Sequence, residues 1–139
     1  MPAKGRCLCG QIQYHLNNSS RLLDLCHCKN CQRQGGAAFI PFLAVPLADL
    51  SIDGQAKVYV NTDTVSGNAV KRYFCGDCGS PLYVVVEYAP NTAYVAAGTL
   101  DDTSQLSPKG QGWVSTRQPW VKLEENIPAH PGDPGLTDA

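Results

Sequence analysis

Short runs of β-branched and aromatic residues, bounded by Asn, Asp, Gly and Pro, dominate the chain as far as residue 97. Residues 5–16 alternate loosely through Ile12, Tyr14 and Leu16, the period of a strand with one buried face. A polar turn over residues 17–20 follows, and Leu22, Leu23 and Leu25 lead into a group of cysteines. Residues 29–34 predict a short helical turn that Gly35 and Gly36 stop. Residues 37–45 are apolar but interrupted by Pro41, which lacks a ladder donor and so predicts an edge or bulged strand.

After a short connection over 47–50, residues 56–60, 70–74, 82–87 and 93–97 each predict a strand. Beyond Gly98 the apolar positions Leu100, Leu106, Trp113, Trp120 and Leu123 follow no period, and 128–139 is rich in Pro and Gly. The expected fold class is mainly β with only short helical turns. It forms a single domain over residues 1–132 with a flexible tail over 133–139.

Composition narrows the possible partners. Forty-three per cent of the 139 residues are hydrophobic, enough for one core, and the formal net charge is -1, from 11 basic and 12 acidic side chains. That balance attracts no phosphate backbone through its field, so a nucleic-acid partner is not expected. No apolar run approaches the roughly 18 residues that span a bilayer, and Met-Pro-Ala-Lys-Gly-Arg is not a secretory signal. A soluble cytoplasmic protein without a membrane partner is the expectation.

The seven cysteines carry the chemistry. Cys7 and Cys9 form C-x-C, Cys26, Cys28 and Cys31 form C-x-C-x-x-C, and Cys75 and Cys78 form C-x-x-C, so none lies outside a cluster. In a reducing compartment such clusters hold metal more often than disulfides. Tetrahedral zinc takes four thiolates, and two ligands one or two residues apart present both sulfurs from one tight turn. Gly10, Gly76 and Gly79 supply the backbone freedom for such turns.

A closed structural site needs four ligands and a catalytic site three plus an open position, so a four-plus-three division uses every thiol. On spacing alone either of the first two clusters could join Cys75 and Cys78. The triplet is a self-sufficient three-ligand unit, which leaves Cys7 and Cys9 for the closed site and implies two zinc ions per chain. The alternatives for the triplet are a partly occupied structural site or a Cys28–Cys31 redox pair.

The remaining candidates have ordinary explanations. His27 sits between two ligands, and neighbouring side chains in an extended segment face opposite ways, so a supporting hydrogen bond suits it better than ligation. His15 and His130 read as boundary residues, and Arg33, Lys71 and Arg72 as solvated basic side chains. Trp113 and Trp120 read as anchors of the C-terminal segment to the core.

These motifs resemble the glutathione-dependent formaldehyde-activating enzyme family, which is also named for its relative centromere protein V. The stretches that carry the likeness are Gly5-Arg6-Cys7-Leu8-Cys9-Gly10, Cys26-His27-Cys28-Lys29-Asn30-Cys31, Lys71-Arg72-Tyr73-Phe74-Cys75-Gly76-Asp77-Cys78-Gly79-Ser80 and Gly98-Thr99-Leu100-Asp101, with Trp113-Val114-Ser115 and Pro119-Trp120 in the tail. The resemblance implies an Mss4-like fold of stacked antiparallel sheets tied by a structural zinc on Cys7, Cys9, Cys75 and Cys78. It implies a second, catalytic zinc on Cys26, Cys28 and Cys31. Where the family often has a His after Pro108, this chain reads Lys109-Gly110-Gln111-Gly112.

The activity so implied is that of a carbon-sulfur lyase or synthase, joining a thiol such as glutathione to formaldehyde to give S-hydroxymethylglutathione, or the reverse. The competing expectations are a noncatalytic zinc-stabilised binding module and a thiol sensor that releases zinc on oxidation.

Overall fold

The computed structural model describes residues 2–17, 22–122 and 126–133. The expected turn over 17–20, Leu123 and the expected tail beyond residue 133 lie wholly or largely outside them. Among the described residues, ten strands form two sheets, accompanied by one α-helix and three 3-10 turns. The mainly β expectation holds.

The smaller sheet has the order β1-β2-β5, with β1 Ala3–Arg6, β2 Gln13–Leu16 and β5 Leu50–Asp53, all antiparallel. Residues 5–16 are therefore two strands and not one. A tight turn reverses the chain between them: the Cys7 amide donates to the Ile12 carbonyl at 3.0 Å and the Gly10 amide to the Cys7 carbonyl at 3.1 Å. The alternation is real all the same, since Ile12, Tyr14 and Leu16 are all buried.

The larger sheet runs β10-β3-β4-β9-β8-β7-β6. Its strands are β3 Leu22–Cys26, β4 Ile40–Pro46, β6 Lys57–Asn61, β7 Val70–Phe74, β8 Pro81–Val86, β9 Thr92–Ala96 and β10 Pro108–Gly112. Helix α1, Lys29–Gly35, links β3 to β4 and ends at Gly36 in the left-handed region.

Two expectations fail here. The strand containing Pro41 is not an edge: β4 lies between β3 and β9. Pro41 pairs with Leu25 on one side, but the last β9 partner, Ala96, lies opposite Phe42, so the proline falls where the sheet has already narrowed. Its missing donor leaves no gap in the β9 ladder.

The second is β10. Its sequence, Pro-Lys-Gly-Gln-Gly, has no β-forming residue, yet it pairs in parallel with β3 through Gln111 opposite Leu25 and Gly112 opposite Cys26. Tertiary pairing overrides local propensity at this strand. Gly110 permits the approach, because a Cβ there would collide with the Asp24 carboxylate.

Two apolar clusters form on opposite faces of the large sheet. Leu43 and Val45 of β4 with Ala93 and Val95 of β9 join Ile12, Tyr14 and Leu16 of the small sheet. The alternate positions, Ile40, Phe42, Tyr94 and Ala96, join Cys31, with Cys26 and Cys28 packed alongside. The period of two along a strand thus divides one sheet between a structural core and a cysteine-bearing face. Each fully buried aliphatic side chain contributes about 1.5–3 kcal/mol of transfer free energy. Among the described residues no helix is long and apolar enough to cross a membrane.

Candidate metal centres

Two turns of the same kind build the first centre. In one, the Gly10 amide closes on the Cys7 carbonyl at 3.1 Å; in the other, the Gly79 amide closes on the Cys75 carbonyl at 2.8 Å. Both glycines sit at φ 80°, a left-handed conformation that costs an L-residue about 1–2 kcal/mol. Ser80 staples the turns together: its hydroxyl accepts from the Leu8 amide at 2.9 Å and lies 3.2 Å from Cys78 Sγ.

Cys7, Cys9, Cys75 and Cys78 consequently bring their sulfurs within 4.8 Å of one another. The Cys7–Cys9 and Cys9–Cys75 Sγ separations are 3.6 and 3.7 Å. Four sulfurs at about 2.3 Å from a tetrahedral zinc stand about 3.8 Å apart, whereas a disulfide needs about 2.05 Å. The donor set therefore fits a zinc ion, and all seven cysteines are free thiols. The Cys78 thiol is drawn down to about 5, chiefly by the Ser80 hydroxyl, which favours the thiolate that a metal requires.

The second centre stands where β3 passes into α1. Cys26 ends β3, Cys28 is the N-cap of α1 with its sulfur accepting from the Cys31 amide at 3.2 Å, and Cys31 lies in the first turn. The three sulfurs also gather within 4.8 Å of one another. A three-thiolate set in this arrangement fits a zinc ion with one position left for a further ligand. Hydrogen bonding from Cys26, then Cys31, draws the Cys28 thiol down to about 3.

His27 takes no part in the cluster. Its amide donates to the Gly112 carbonyl at 3.0 Å, its ring rests on Phe39 with centroids 5.1 Å apart, and Nε2 lies 3.3 Å from Gln111 Oε1. Burial pushes its pKa below the usual imidazole range. Gln32 Nε2 donates to the His27 carbonyl at 2.8 Å and to the Thr116 carbonyl at 3.0 Å, and the Thr116 hydroxyl donates to the His27 carbonyl at 3.0 Å. These bonds hold the Cys26–Cys28 bend against β10 and the segment after it.

Two further side chains escaped the sequence reading. Gln111, in the stretch where the family often has a His, is buried against His27. Arg72, expected in solvent, is only 5% exposed, with Nη1 3.6 Å from Cys31 Sγ and donating to Gln34 Oε1 at 2.7 Å. Arg33 and Lys71 are exposed as expected, His15 is exposed, and His130 is half-buried beside Gln111, whose carbonyl accepts from its amide at 2.8 Å.

Trp113 is half-buried, but Trp120 is 72% exposed, so it is no core anchor. It lines an open cleft of about 440 Å³ with Lys29, Gln32, Arg33 and Gln118.

A mainly β chain whose turns assemble one four-cysteine and one three-cysteine cluster defines a class of candidate zinc protein. The chain belongs to the glutathione-dependent formaldehyde-activating enzyme family, whose model matches residues 2–116. A Halomonas elongata protein provisionally named as such an enzyme is 22% identical over 129 residues, covering 89% of this chain and 82% of its own length. Aspergillus flavus and Aspergillus oryzae proteins with the same provisional name are each 27% identical over 115 residues. The match takes in 79% of this chain and 59% of those longer proteins. A crystal structure of a Rhodobacter sphaeroides protein shares the fold, with a TM-score of 0.58 and 19% identity over 91% of this chain and 98% of that one.

Proposed function

We propose that the protein is a zinc-dependent carbon-sulfur lyase or synthase that joins glutathione to formaldehyde, giving S-hydroxymethylglutathione, or runs the reverse cleavage. The observation that supports this best is the three-sulfur cluster of Cys26, Cys28 and Cys31, built separately from the four-sulfur cluster. A purely structural module needs no second cluster with an open position.

In this reading Cys7, Cys9, Cys75 and Cys78 hold a structural zinc, and Cys26, Cys28 and Cys31 hold the catalytic one. A zinc ion on the triplet supplies a site at which a thiol ionises near neutral pH or an aldehyde oxygen is polarised. The chain's own part is to present the three sulfurs together from a rigid β3–α1 junction and to hold that junction through Gln32 and Thr116. In the addition, the glutathione sulfur forms a bond to the formaldehyde carbon, the carbonyl π bond breaks, and the thiol proton passes to the oxygen. No electrons are gained or lost.

An open cleft along α1 offers Lys29 and Arg33 to the two carboxylates of glutathione; the three cysteines are not among the residues that line it. Seven free thiols suit a reducing compartment such as the cytoplasm. The test is formaldehyde consumption with glutathione and with other thiols, comparing wild type, Cys31→Ser and the uncatalysed rate, alongside zinc stoichiometry. Two zinc ions and a glutathione-dependent rate lost in Cys31→Ser are expected. One zinc and no acceleration over the uncatalysed reaction leave a noncatalytic module.

A further inference from the structure

We propose that Arg72 is the fixed counter-charge of the three-cysteine site and a positioning residue for an anionic thiol ligand at its open position. This rests on reading Cys26, Cys28 and Cys31 as metal ligands.

Arg72 lies mid-way along β7, opposite Tyr59 of β6 and Val84 of β8, and is 5% exposed. A guanidinium cannot shed its proton, so a buried one has to meet its charge where it stands. Among the described residues Arg72 pairs with no carboxylate. Its Nη1 reaches Gln34 Oε1 at 2.7 Å and Cys31 Sγ at 3.6 Å, and Nε is buried with no hydrogen-bond partner there. Gln34 is neutral and can aim the guanidinium without compensating it. The cysteine sulfurs are the groups left to do so.

The charge arithmetic then explains the placement. Three thiolates and a divalent cation sum to -1, and Arg72 brings the unit to zero. A fourth ligand arriving as a thiolate takes the sum to -1 with Arg72 in place and to -2 without it, at a site where Cys31 is buried. The four-cysteine site is furnished differently: Arg6 beside it donates to the Leu8 carbonyl at 3.4 Å, the Lys57 stem lies along the turn at Gly76, and Cys9 is exposed. Cys7 and Cys75 are as buried as Cys31, yet among the described residues no guanidinium bonds to their sulfurs as Arg72 Nη1 does to Cys31 Sγ.

The experiment uses the reduced full-length chain loaded with Zn²⁺, with a chelator competing for the more weakly held ion. A second arm loads Co²⁺ and follows its sulfur charge-transfer band while glutathione is added as the probe. Arg72→Gln is expected to weaken the second ion by about 10- to 100-fold, the range found for residues that support metal ligands, with the tighter ion and far-UV circular dichroism unchanged. The glutathione concentration that perturbs the cobalt band should rise by a similar factor. Arg72→Lys, which keeps the charge, should recover most of both.

Should Arg72→Gln fail to fold, Arg72→Met decides, because it keeps an apolar stem of similar length and removes only the charge. Weaker second-ion binding supports the proposal and unchanged binding overturns it. Two ions in wild type, with a folded Arg72→Gln that binds both as tightly, overturn the role of Arg72 alone. A single ion in wild type overturns the metal reading of the triplet and this proposal with it.

Discussion

The Sγ atoms of Cys9 and Cys75 lie 3.7 Å apart although 66 residues separate them along the chain. No disulfide joins these segments, so an ion held by both sulfurs would add a tie between the turn after β1 and the turn after β7, beside the apolar core the two sheets share. Structural zinc binding is worth on the order of 10 kcal/mol or more at neutral pH, comparable with the whole net stability of a domain. Cys75→Ser should therefore lose the tighter zinc and leave the chain unfolded at 25 °C, as read by circular dichroism and zinc analysis. A cooperative thermal transition in the purified variant would contradict that role.

Cys28→Ser should behave differently. Serine is as good an N-cap as cysteine, so α1 keeps its first hydrogen bond while the triplet loses a sulfur. The expected outcome is a folded protein with one zinc in place of two and a melting temperature within a few degrees of wild type. Equal metal loss and intact folding in Cys28→Ser and Cys75→Ser would sink the four-plus-three division.

Lys29 and Arg33 test the cleft. With both changed to Ala, the KM for glutathione should rise about 3- to 10-fold, on the order of 1 kcal/mol for two exposed ion pairs, while kcat stays near wild type. The KM for an uncharged thiol should not move. Steady-state kinetics with the two thiols decide it, and parallel changes for both would remove the cleft from the binding site.

Tyr14 gives a pH-dependent stability. Its hydroxyl bonds to Thr99 Oγ1 at 2.6 Å and burial pushes its pKa up to about 12. Because the folded state holds the proton more tightly than the unfolded chain, this stabilisation is complete below pH 10 and is lost as pH rises toward 12. Tyr14→Phe should cost about 1 kcal/mol at pH 7 and flatten the alkaline fall in the urea midpoint. An alkaline slope identical to wild type would assign the fall to other groups.

Gly5 is a packing glycine. A Cβ there would overlap the Tyr14 ring and the Thr99 carbonyl, so Gly5→Ala should destabilise by about 1–3 kcal/mol or more. Gly79 has open space around it but φ 80°, so Gly79→Ala should cost about 1–2 kcal/mol through the backbone alone. Urea denaturation of the two variants should rank them in that order.

Some of this was legible in the chain itself. The alternation of Ile12, Tyr14 and Leu16, the strands over 70–74 and 93–97, and the turn halted by Gly35 and Gly36 are local patterns whose period names the element. Gly10 and Gly79 were legible as turn glycines for the same reason, whereas Gly76 keeps an ordinary φ and instead lies against the Lys57 stem. Pro41 misled because its cost depends on which neighbour strand extends past it, and β10 was invisible because Pro-Lys-Gly-Gln-Gly carries no strand propensity. Trp120 looked like core, but burial depends on what lies above a side chain, and among the described residues it is left 72% exposed.

Taken alone, the sequence determined which sulfurs travel together: the spacings in 7–9, 26–31 and 75–78 oblige a short turn to present its thiols on one side, a consequence of chain geometry over a few residues. Only the tertiary structure decided which pair of turns meets which, and that Arg72 and Gln111 lie buried beside the second cluster while Arg33 and Lys71 face solvent. Sheet register and stacking select those neighbours. They act between segments tens of residues apart, and no local pattern records them.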